Sequence, residues 1–226
     1  MGSVACAQDV SQQDIFFNKL APVVASVNEK IYSERKKLDV WARQYPRHPT
    51  QDILALQKHY QVTDCDITET KCITELKKRV DIVPNSLALG QAALESGFGT
   101  SRFAKEGNAL YGQWCFKKGC GIQPKSPNKS LGYYAVKRFP STKAATQEYI
   151  HNLNTQSSYE HFRNLRASQR NYGIKLNSLK LAETLSLYST SGKKYLMDIK
   201  SIIKTYQLQK YDNAKYSKAS QTHFFV

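Results

Sequence analysis

The stretch ALESGFGTSRFAKEGNALYGQW, from Ala93 to Trp114, carries the features that decide the fold of this chain. It completes an apolar segment, VPNSLALGQAALESGFG, with Pro84 near its start and Gly97 near its end. Proline is favoured in the first turn of a helix, and glycine is favoured just past the last turn. The segment therefore predicts a helix whose last turn holds one acidic residue, Glu95.

Glu95 lies in an unfavourable place for a carboxylate. The negative end of the helix macrodipole lies at the last turn, and apolar neighbours such as Leu94 and Phe98 exclude water from the side chain. Both effects raise the pKa of a carboxyl group. Cleavage of a glycosidic bond needs a carboxyl group that stays protonated near neutral pH and acts as general acid. A glutamate that only pairs with a nearby lysine or arginine is the structural alternative.

The residues after Glu95 fit a groove for sugars. Asn108 and Gln113 offer amide donors and acceptors for acetamido and hydroxyl groups. Tyr111, Trp114 and Phe98 offer flat faces for pyranose rings. Each of these side chains alone is more often structural, and it is their clustering within about twenty residues that predicts a binding site.

Composition and charge limit the classes of function. The 226 residues are 41% hydrophobic and 23% charged, which fits one globular domain with an extension. A net charge of +15 permits a polyanionic partner, but the basic residues are scattered and form no nucleic-acid motif. We expect no sequence-specific nucleic acid as a partner. No segment reaches the roughly 18 apolar residues of a membrane span.

The cysteines favour an exported protein. The sequence predicts two short-loop disulfides, one within DCDITETKC and one within WCFKKGC, formed by four residues: Cys65, Cys72, Cys115 and Cys120. A zinc site and free thiols are the alternatives. Ala5-Cys6-Ala7 has the small-x-small form of a signal-peptidase site, so residues 1–7 are interpreted as a signal-peptide remnant or expression residues. We expect a periplasmic or secreted protein.

The rest of the chain predicts a mostly helical architecture. Apolar spacing predicts a long helix over residues 11–43 with Pro22 as a candidate kink, then a helix capped by Thr50 or Asp52. Glycines, prolines and aromatics between Asn108 and Phe139 predict a small β-hairpin lobe, with LGYYAVKRF as its strand. Helical spacing then returns. The organisation that we predict has three parts after residue 7: an N-terminal helical extension, 8–79, a catalytic domain, 80–208, and a polar, frayed tail, 209–226.

The segment RVDIVPNSLALGQAALESGFGTSRFAKEGNALYGQWCFKKGCGI resembles the core of the bacterial glucosaminidases, which include the Bax-type proteins and the flagellar peptidoglycan hydrolases. HNLNTQSSYEHFRNLRA and LAETLSLYSTSGKKYLMDIKSII are similar to the Bax-type branch, as is the N-terminal DIFFNKLAPVVASVNEKIYSERKKL. The resemblance covers nearly the whole chain up to about Leu208.

The resemblance implies an α+β, mostly α-helical, lysozyme-like fold. It implies that Glu95 is the catalytic acid and that Tyr188 of LYSTSG is the active-site tyrosine. The substrate and partner would be the glycan strands of peptidoglycan, cut after N-acetylglucosamine by an endo-β-N-acetylglucosaminidase. In this interpretation Asn108, Tyr111 and Trp114 seat the sugars, and Tyr188 steadies the acetamido group or the water. The chemistry needs no metal and no cofactor, and we expect a monomer.

One departure from the family concerns the second acid. Several relatives place one in the β-lobe, but Trp114 to Phe139 contains no Asp or Glu here. Glu106, Glu148 and Glu183 are candidates, although Glu148 and Glu183 fit salt-bridged helix faces better. Alternatively, the substrate's acetamido group is the nucleophile, or a base is recruited on closure. A lytic transglycosylase and a weakly catalytic glycan-binding protein are the competing functions.

Overall fold

The computed structural model describes residues 11–44, 46–128, 130, 132–188 and 192–213. The predicted signal-peptide remnant, 1–7, lies outside these residues. Nine α-helices are found in the described chain. Their bounds are α1, Gln12–Gln44; α2, Gln51–His59; α3, Thr70–Arg79; α4, Asn85–Ser96; α5, Arg102–Gly107; α6, Thr142–Thr155; α7, Glu160–Asn171; α8, Ser178–Ala182; and α9, Lys193–Thr205.

Helix ends follow the sequence signals. Thr50 caps α2 and accepts a hydrogen bond from the Ile53 backbone N–H at 3.4 Å, as predicted. Gly97 ends α4 in the left-handed conformation, with φ of 57°. α1 continues through Pro22 as one helix of 33 residues. Short 3₁₀ helices follow three of the α-helices, at Ser157–Tyr159, Glu183–Tyr188 and Leu208–Tyr211.

α4 lies at the centre of the molecule, between α1 and α9. Leu87, Leu89 and Ala92 are fully buried on different sides of this helix, which explains why its sequence is apolar all round. Gly90 lets α9 approach closely, because a Cβ there would lie 3.0 Å from Ile203 Cγ1. This packing fixes the direction of the last turn of α4, where Glu95 lies.

The small sheet has three antiparallel strands: β1, Trp114–Cys115; β2, Gly121–Ile122; and β3, Ala135–Lys137. The lobe predicted as a hairpin is therefore a three-stranded sheet in the order β1-β3-β2, with β3 pairing on both sides. Gly121 makes this possible, since a Cβ there would lie 2.0 Å from the Val136 carbonyl oxygen. The mostly helical α+β architecture is confirmed.

Two disulfides close short loops. Cys65 and Cys72 join the α2–α3 connection to α3, with their Cα atoms 5.7 Å apart. Cys115 and Cys120 close the turn between β1 and β2, with a Cα separation of 6.2 Å. Both predicted pairs are confirmed.

A buried carboxylate joins the N-terminal helices to the rest of the chain. Asp81, which is 1% exposed, accepts hydrogen bonds from Arg170 Nε at 3.0 Å and Nη2 at 2.8 Å. Arg35 from α1 and Arg166 from α7 lie 3.4 and 3.9 Å from the same carboxylate. Burial alone would raise the pKa of Asp81, but the three guanidinium groups outweigh it and hold that pKa well below its usual range.

The hydrophobic core has two parts. The first half of α1, from Phe17 to Ile31, packs in one cluster with α4, α6 and α9. The second half, from Leu38, packs with α2 and α3 in a smaller cluster. The predicted 8–79 extension thus contributes to both clusters.

The start of the predicted tail is held in place, and the expectation of a frayed end is wrong for that part. The Asp212 carboxylate accepts hydrogen bonds from the Ser86 backbone N–H at 2.9 Å and hydroxyl at 2.7 Å. An acidic group is favoured there because the first turn of α4 presents unpaired N–H groups. Residues 214–226 lie outside the described part. None of the described helices is long and apolar enough to cross a membrane.

Candidate active site

Glu95 lies half-buried in the last turn of α4, and its carboxylate touches the loop that follows α5. A Cβ on Gly112 would lie only 2.9 Å from Glu95 Oε2, and the φ of Gly112 is 65°. Both the close approach and the left-handed conformation require glycine at this position. Gly112 therefore brings the backbone of the loop directly against the carboxyl group.

The surroundings of Glu95 suit a protonated carboxyl group. Burial raises the pKa of Glu95, and a hydrogen bond from the Tyr195 hydroxyl opposes that rise in part. The predicted desolvation of this side chain is thus present in the structure. A carboxyl group in this state can give a proton to a leaving oxygen.

A chain of hydrogen bonds supports the carboxyl group. The Tyr149 hydroxyl donates to Gln91 Oε1 at 2.6 Å, which fixes the orientation of the buried amide. Gln91 Nε2 then donates to the Tyr195 hydroxyl oxygen at 2.8 Å. Since this oxygen accepts from Gln91, its own proton is directed to Glu95, with which Tyr195 forms a side-chain hydrogen bond.

Tyr188 lies beside this chain. Its ring stacks on Tyr195 with centroids 5.7 Å apart and planes 4° apart. Its hydroxyl donates to the Tyr111 carbonyl oxygen at 2.7 Å, which ties the 3₁₀ segment to the loop before Gly112. Burial raises the pKa of Tyr188 well above its ordinary value, and the nearby Glu95 raises it further, so the phenol stays neutral.

A cavity of about 260 Å³ opens beside these residues. Glu95 is not itself in the lining, but its carboxylate lies against Gly112, which is. The lining combines aromatic rings with amide side chains, from Tyr111, Gly112, Gln113, Trp114, Tyr149, Asn152, Gln156, Tyr159 and Tyr188. Flat rings interleaved with amides are the groups that bind sugars.

Three of the predicted substrate-binding residues meet in this cavity. Trp114 is 52% exposed and stacks on Tyr134 with centroids 4.9 Å apart. Tyr111 is fully buried and stacks on Tyr149, with centroids 4.0 Å apart, so its ring supports the wall. Gln113 is 9% exposed, and its buried Oε1 has no hydrogen-bond partner among the described residues. An acceptor that is buried and unpaired is costly to the fold.

The other two predicted residues lie elsewhere. Phe98 packs against Phe16, Phe17 and Tyr206, with ring centroids 5.5 to 6.1 Å away, and so joins the loop after α4 to α1. Asn108 ends α5 in the left-handed conformation and donates a hydrogen bond to the Phe139 carbonyl oxygen at 3.0 Å. Neither residue lines the cavity.

The three candidates for a second acid are engaged in ion pairs. Glu106 lies 3.8 Å from Arg102, and Glu183 lies 2.5 Å from Lys200. Glu148 pairs with Lys137 on β3. No carboxylate is found in the lining of the cavity among the residues that the structure describes. Over the same residues, no group of three or more His, Cys, Asp or Glu side chains is arranged to hold a metal ion.

Two larger cavities lie away from Glu95. One of about 900 Å³ runs along the second half of α1 to the start of α2. Another, of about 390 Å³, lies between α1, α2 and the far face of α6. Neither borders the hydrogen-bond chain to Glu95, so the chemistry, and not the size, identifies the candidate site.

Several residues of the site were not predicted. Tyr149 and Asn152 lie three residues apart on one face of α6, and Gln156, four residues further, is the C-cap of this helix. This stripe of polar and aromatic residues was a signal that could have identified them. Gln91 and Tyr195 had no such signal, because their contact depends on how α4 packs against α9.

Comparisons with known proteins agree with this geometry. The sequence profile of the glucosaminidase family, described as mannosyl-glycoprotein endo-beta-N-acetylglucosaminidase, matches residues 70–208. The chain is 34% identical over 182 residues to protein Bax of Escherichia coli strain K12. That alignment covers 80% of this chain but 64% of Bax, so the chain spans less than two thirds of the relative's length.

The fold is also similar to a solved structure. The catalytic domain of the autolysin Auto from Listeria monocytogenes superposes with a TM-score of 0.50 at 19% identity, over 92% of each chain. At this identity the likeness concerns the fold alone. Together with the profile match, it confirms the family and the fold class that the sequence resemblance implied.

Proposed function

Because the chain belongs to the glucosaminidase family, we propose that it is a peptidoglycan hydrolase, an endo-β-N-acetylglucosaminidase that cuts glycan strands after N-acetylglucosamine. The observation that carries the proposal is the setting of Glu95. This carboxyl group has a raised pKa, a buried hydrogen-bond chain behind it and an aromatic, amide-lined cavity beside it. General acid catalysis of glycoside cleavage needs a carboxyl group that stays protonated beside the bound sugar.

In the proposed reaction, Glu95 gives its proton to the glycosidic oxygen as the bond from that oxygen to the sugar C1 breaks. Gln113, which lines the cavity beside Trp114, offers its side-chain amide to the 2-acetamido group. Asn152 and Gln156 bind sugar hydroxyls, and Trp114 provides a face for a pyranose ring. Tyr188 keeps the Tyr111 carbonyl, and with it Gly112, in position beside the acid.

The nucleophile that we favour is the substrate's own acetamido oxygen. The candidate acids Glu106, Glu148 and Glu183 are all ion-paired, which argues against a second carboxylate at the reacting carbon. The acetamido oxygen would attack C1 as the leaving group departs. Water would then open the resulting ring, giving one proton back to Glu95 and restoring the acetamido group.

The proposed setting is outside the cytoplasm. Two disulfides persist in oxidising compartments, and the substrate of a cell-wall hydrolase lies there. We place the protein in the periplasm or among secreted proteins, acting as a monomer on peptidoglycan.

Digestion of purified peptidoglycan, followed by borohydride reduction and mass analysis of the fragments, tests the proposal. Wild type should release fragments with reduced N-acetylglucosamine ends. Glu95→Gln should lose about 10²–10⁴-fold of the rate, since it removes the proton donor and keeps the shape. Glu69→Gln, an exposed glutamate paired with Lys71, is the matched control and should retain activity.

The fragment ends separate this proposal from its competitors. Anhydro ends from wild type would identify a lytic transglycosylase. Co-sedimentation of wild type with the wall, without release of any fragment, would identify a glycan-binding protein. Equal rates for Glu95→Gln and wild type would remove Glu95 from the acid role.

A further inference from the structure

The β-lobe, residues 114–139, has a charge unlike the rest of the chain. It contains six basic residues and no acidic one, whereas the whole chain has 33 basic and 18 acidic residues. Lys117, Lys118, Lys125 and Arg138 of the lobe are exposed. Lys137 is instead engaged with Glu148. Lys117 and Lys118 follow Trp114, which lines the cavity, by three and four residues along the chain.

The same lobe presents two exposed aromatic rings. Trp114 is 52% exposed and Phe116 is 68% exposed, and one residue separates them in the sequence. Trp114 also lines the cavity, so Phe116 lies two residues along the chain from the cavity wall. A sugar chain that leaves the cavity past Trp114 would reach Phe116 and the two lysines after it.

The turn that carries these side chains is closed by a disulfide. Cys115 and Cys120 bracket Phe116, Lys117 and Lys118. The Cys120 backbone N–H also donates to the Lys117 carbonyl oxygen at 3.1 Å. A turn held at both ends loses little further freedom when it binds, so its side chains form a prepared surface.

We propose, on the basis of the proposed function, that the β-lobe binds the carboxylate-bearing stem peptides of the glycan strand next to the cleaved bond. Phe116 would contact the strand, and Lys117 and Lys118 would pair with peptide carboxylates. A neutral glycan would gain nothing from the two lysines, whereas an anionic strand is attracted and oriented by them. The lobe thus selects peptidoglycan that still carries its peptides.

The test uses one preparation of peptide-bearing glycan strands, freed of other wall polymers, in two forms. In one form the carboxylates are intact, and in the other they are converted to methylamides. For the double variant Lys117→Gln/Lys118→Gln, KM on the intact strands should rise about threefold to tenfold with kcat unchanged. On the methylamide strands, the double variant and wild type should have the same KM. Phe116→Ala should raise KM for both forms.

The double variant Lys36→Gln/Lys37→Gln removes the same charge from α1, where the two lysines contact Tyr32 and Asp52, and should change neither KM. Equal KM values of wild type for the two forms of substrate would overturn the inference. So would an equal effect of the lobe variant on both forms. Absence of cleavage of either form by wild type would instead overturn the proposed function.

Discussion

Glu95 and Gly112 meet where the last turn of α4 touches the loop after α5. The 2.9 Å approach of a Cβ at position 112 to Glu95 Oε2 leaves room for hydrogen alone. Because Gly112 also lines the cavity, the contact that helps to bury Glu95 also places its carboxyl group against the cavity wall. The burial that raises the pKa of Glu95 and its position against the cavity wall therefore both involve this piece of backbone.

Tyr195 acts on Glu95 as a positioning residue, and its removal should change the pH dependence of the reaction. Tyr195→Phe deletes the hydrogen bond that lowers the pKa of Glu95 against the effect of burial. The pKa of the acid should rise, so Glu95 stays protonated to higher pH and the alkaline limb of the kcat profile moves upward. At the optimum, kcat should fall about tenfold, the loss expected for one hydrogen bond to a charged group.

The control for this prediction is Tyr206→Phe. Tyr206 lies at the end of α9, and its ring contacts Phe17 and Phe98, away from the carboxyl group. The pH profile of kcat for Tyr206→Phe should match that of wild type. An unchanged alkaline limb in Tyr195→Phe would show that the tyrosine does not influence the proton on Glu95.

At the scale of elements, local signals predicted the helices and long-range packing decided the rest. Pro84 and Gly97 marked the ends of α4, and Thr50 marked the start of α2, because caps are satisfied by neighbours in sequence. Phe98 was expected in the sugar groove but packs against α1. Its apolar character was evident from the sequence, whereas the helix that it faces depends on the tertiary fold.

The β-lobe shows the same division. The glycines, prolines and aromatics of this region predicted a strand within LGYYAVKRF, and β3 occupies Ala135–Lys137. The pairing of β3 with both β1 and β2 was not predicted. Strand order depends on contacts such as that of Gly121 with Val136, which lie fifteen residues apart and leave no periodic pattern.

The junction of α1, α3 and α7 depends on Asp81, and Asp81→Asn should destabilise the fold. The change leaves Arg35, Arg166 and Arg170 without their buried counter-charge, so the free energy of unfolding at pH 7 should fall by about 3–5 kcal/mol. Because the folded-state pKa of Asp81 is depressed, its stabilisation is complete above the pKa of an unfolded carboxyl group, about 4. It is lost as the pH falls further toward the folded-state pKa.

Urea unfolding at pH 7, 5 and 3 measures both effects. Wild type should keep this part of its stability at pH 7 and pH 5 and should begin to lose it at pH 3, and Asp81→Asn should lack it throughout. Asp52→Asn, which breaks an exposed pair with Lys37, should cost less than about 1 kcal/mol. An equally small loss in the free energy of unfolding for Asp81→Asn would mean that the three buried arginines do not need this carboxylate as a counter-charge.

The whole molecule is more integrated than its sequence pattern indicates. The family profile begins at residue 70, inside α3, and the predicted catalytic domain begins at residue 80. Yet five large apolar side chains from the first half of α1 lie in the same core as α4 and α9: Phe17, Leu20, Val24, Val27 and Ile31. The helix that holds Glu95 is therefore covered on one side by the predicted extension.

The fragment 80–213 should consequently fail to fold, because it lacks the side chains that cover α4. Each of the five buries surface that stabilises by about 1.5–3 kcal/mol, together comparable with the 5–15 kcal/mol of a typical domain. In the full chain, Val24→Asp should abolish cooperative thermal unfolding. Val40→Asp, on the same helix but 46% exposed, should not. Near-ultraviolet circular dichroism as a function of temperature measures this. A fragment that melts cooperatively and still cleaves peptidoglycan would show that α1 is a dispensable addition.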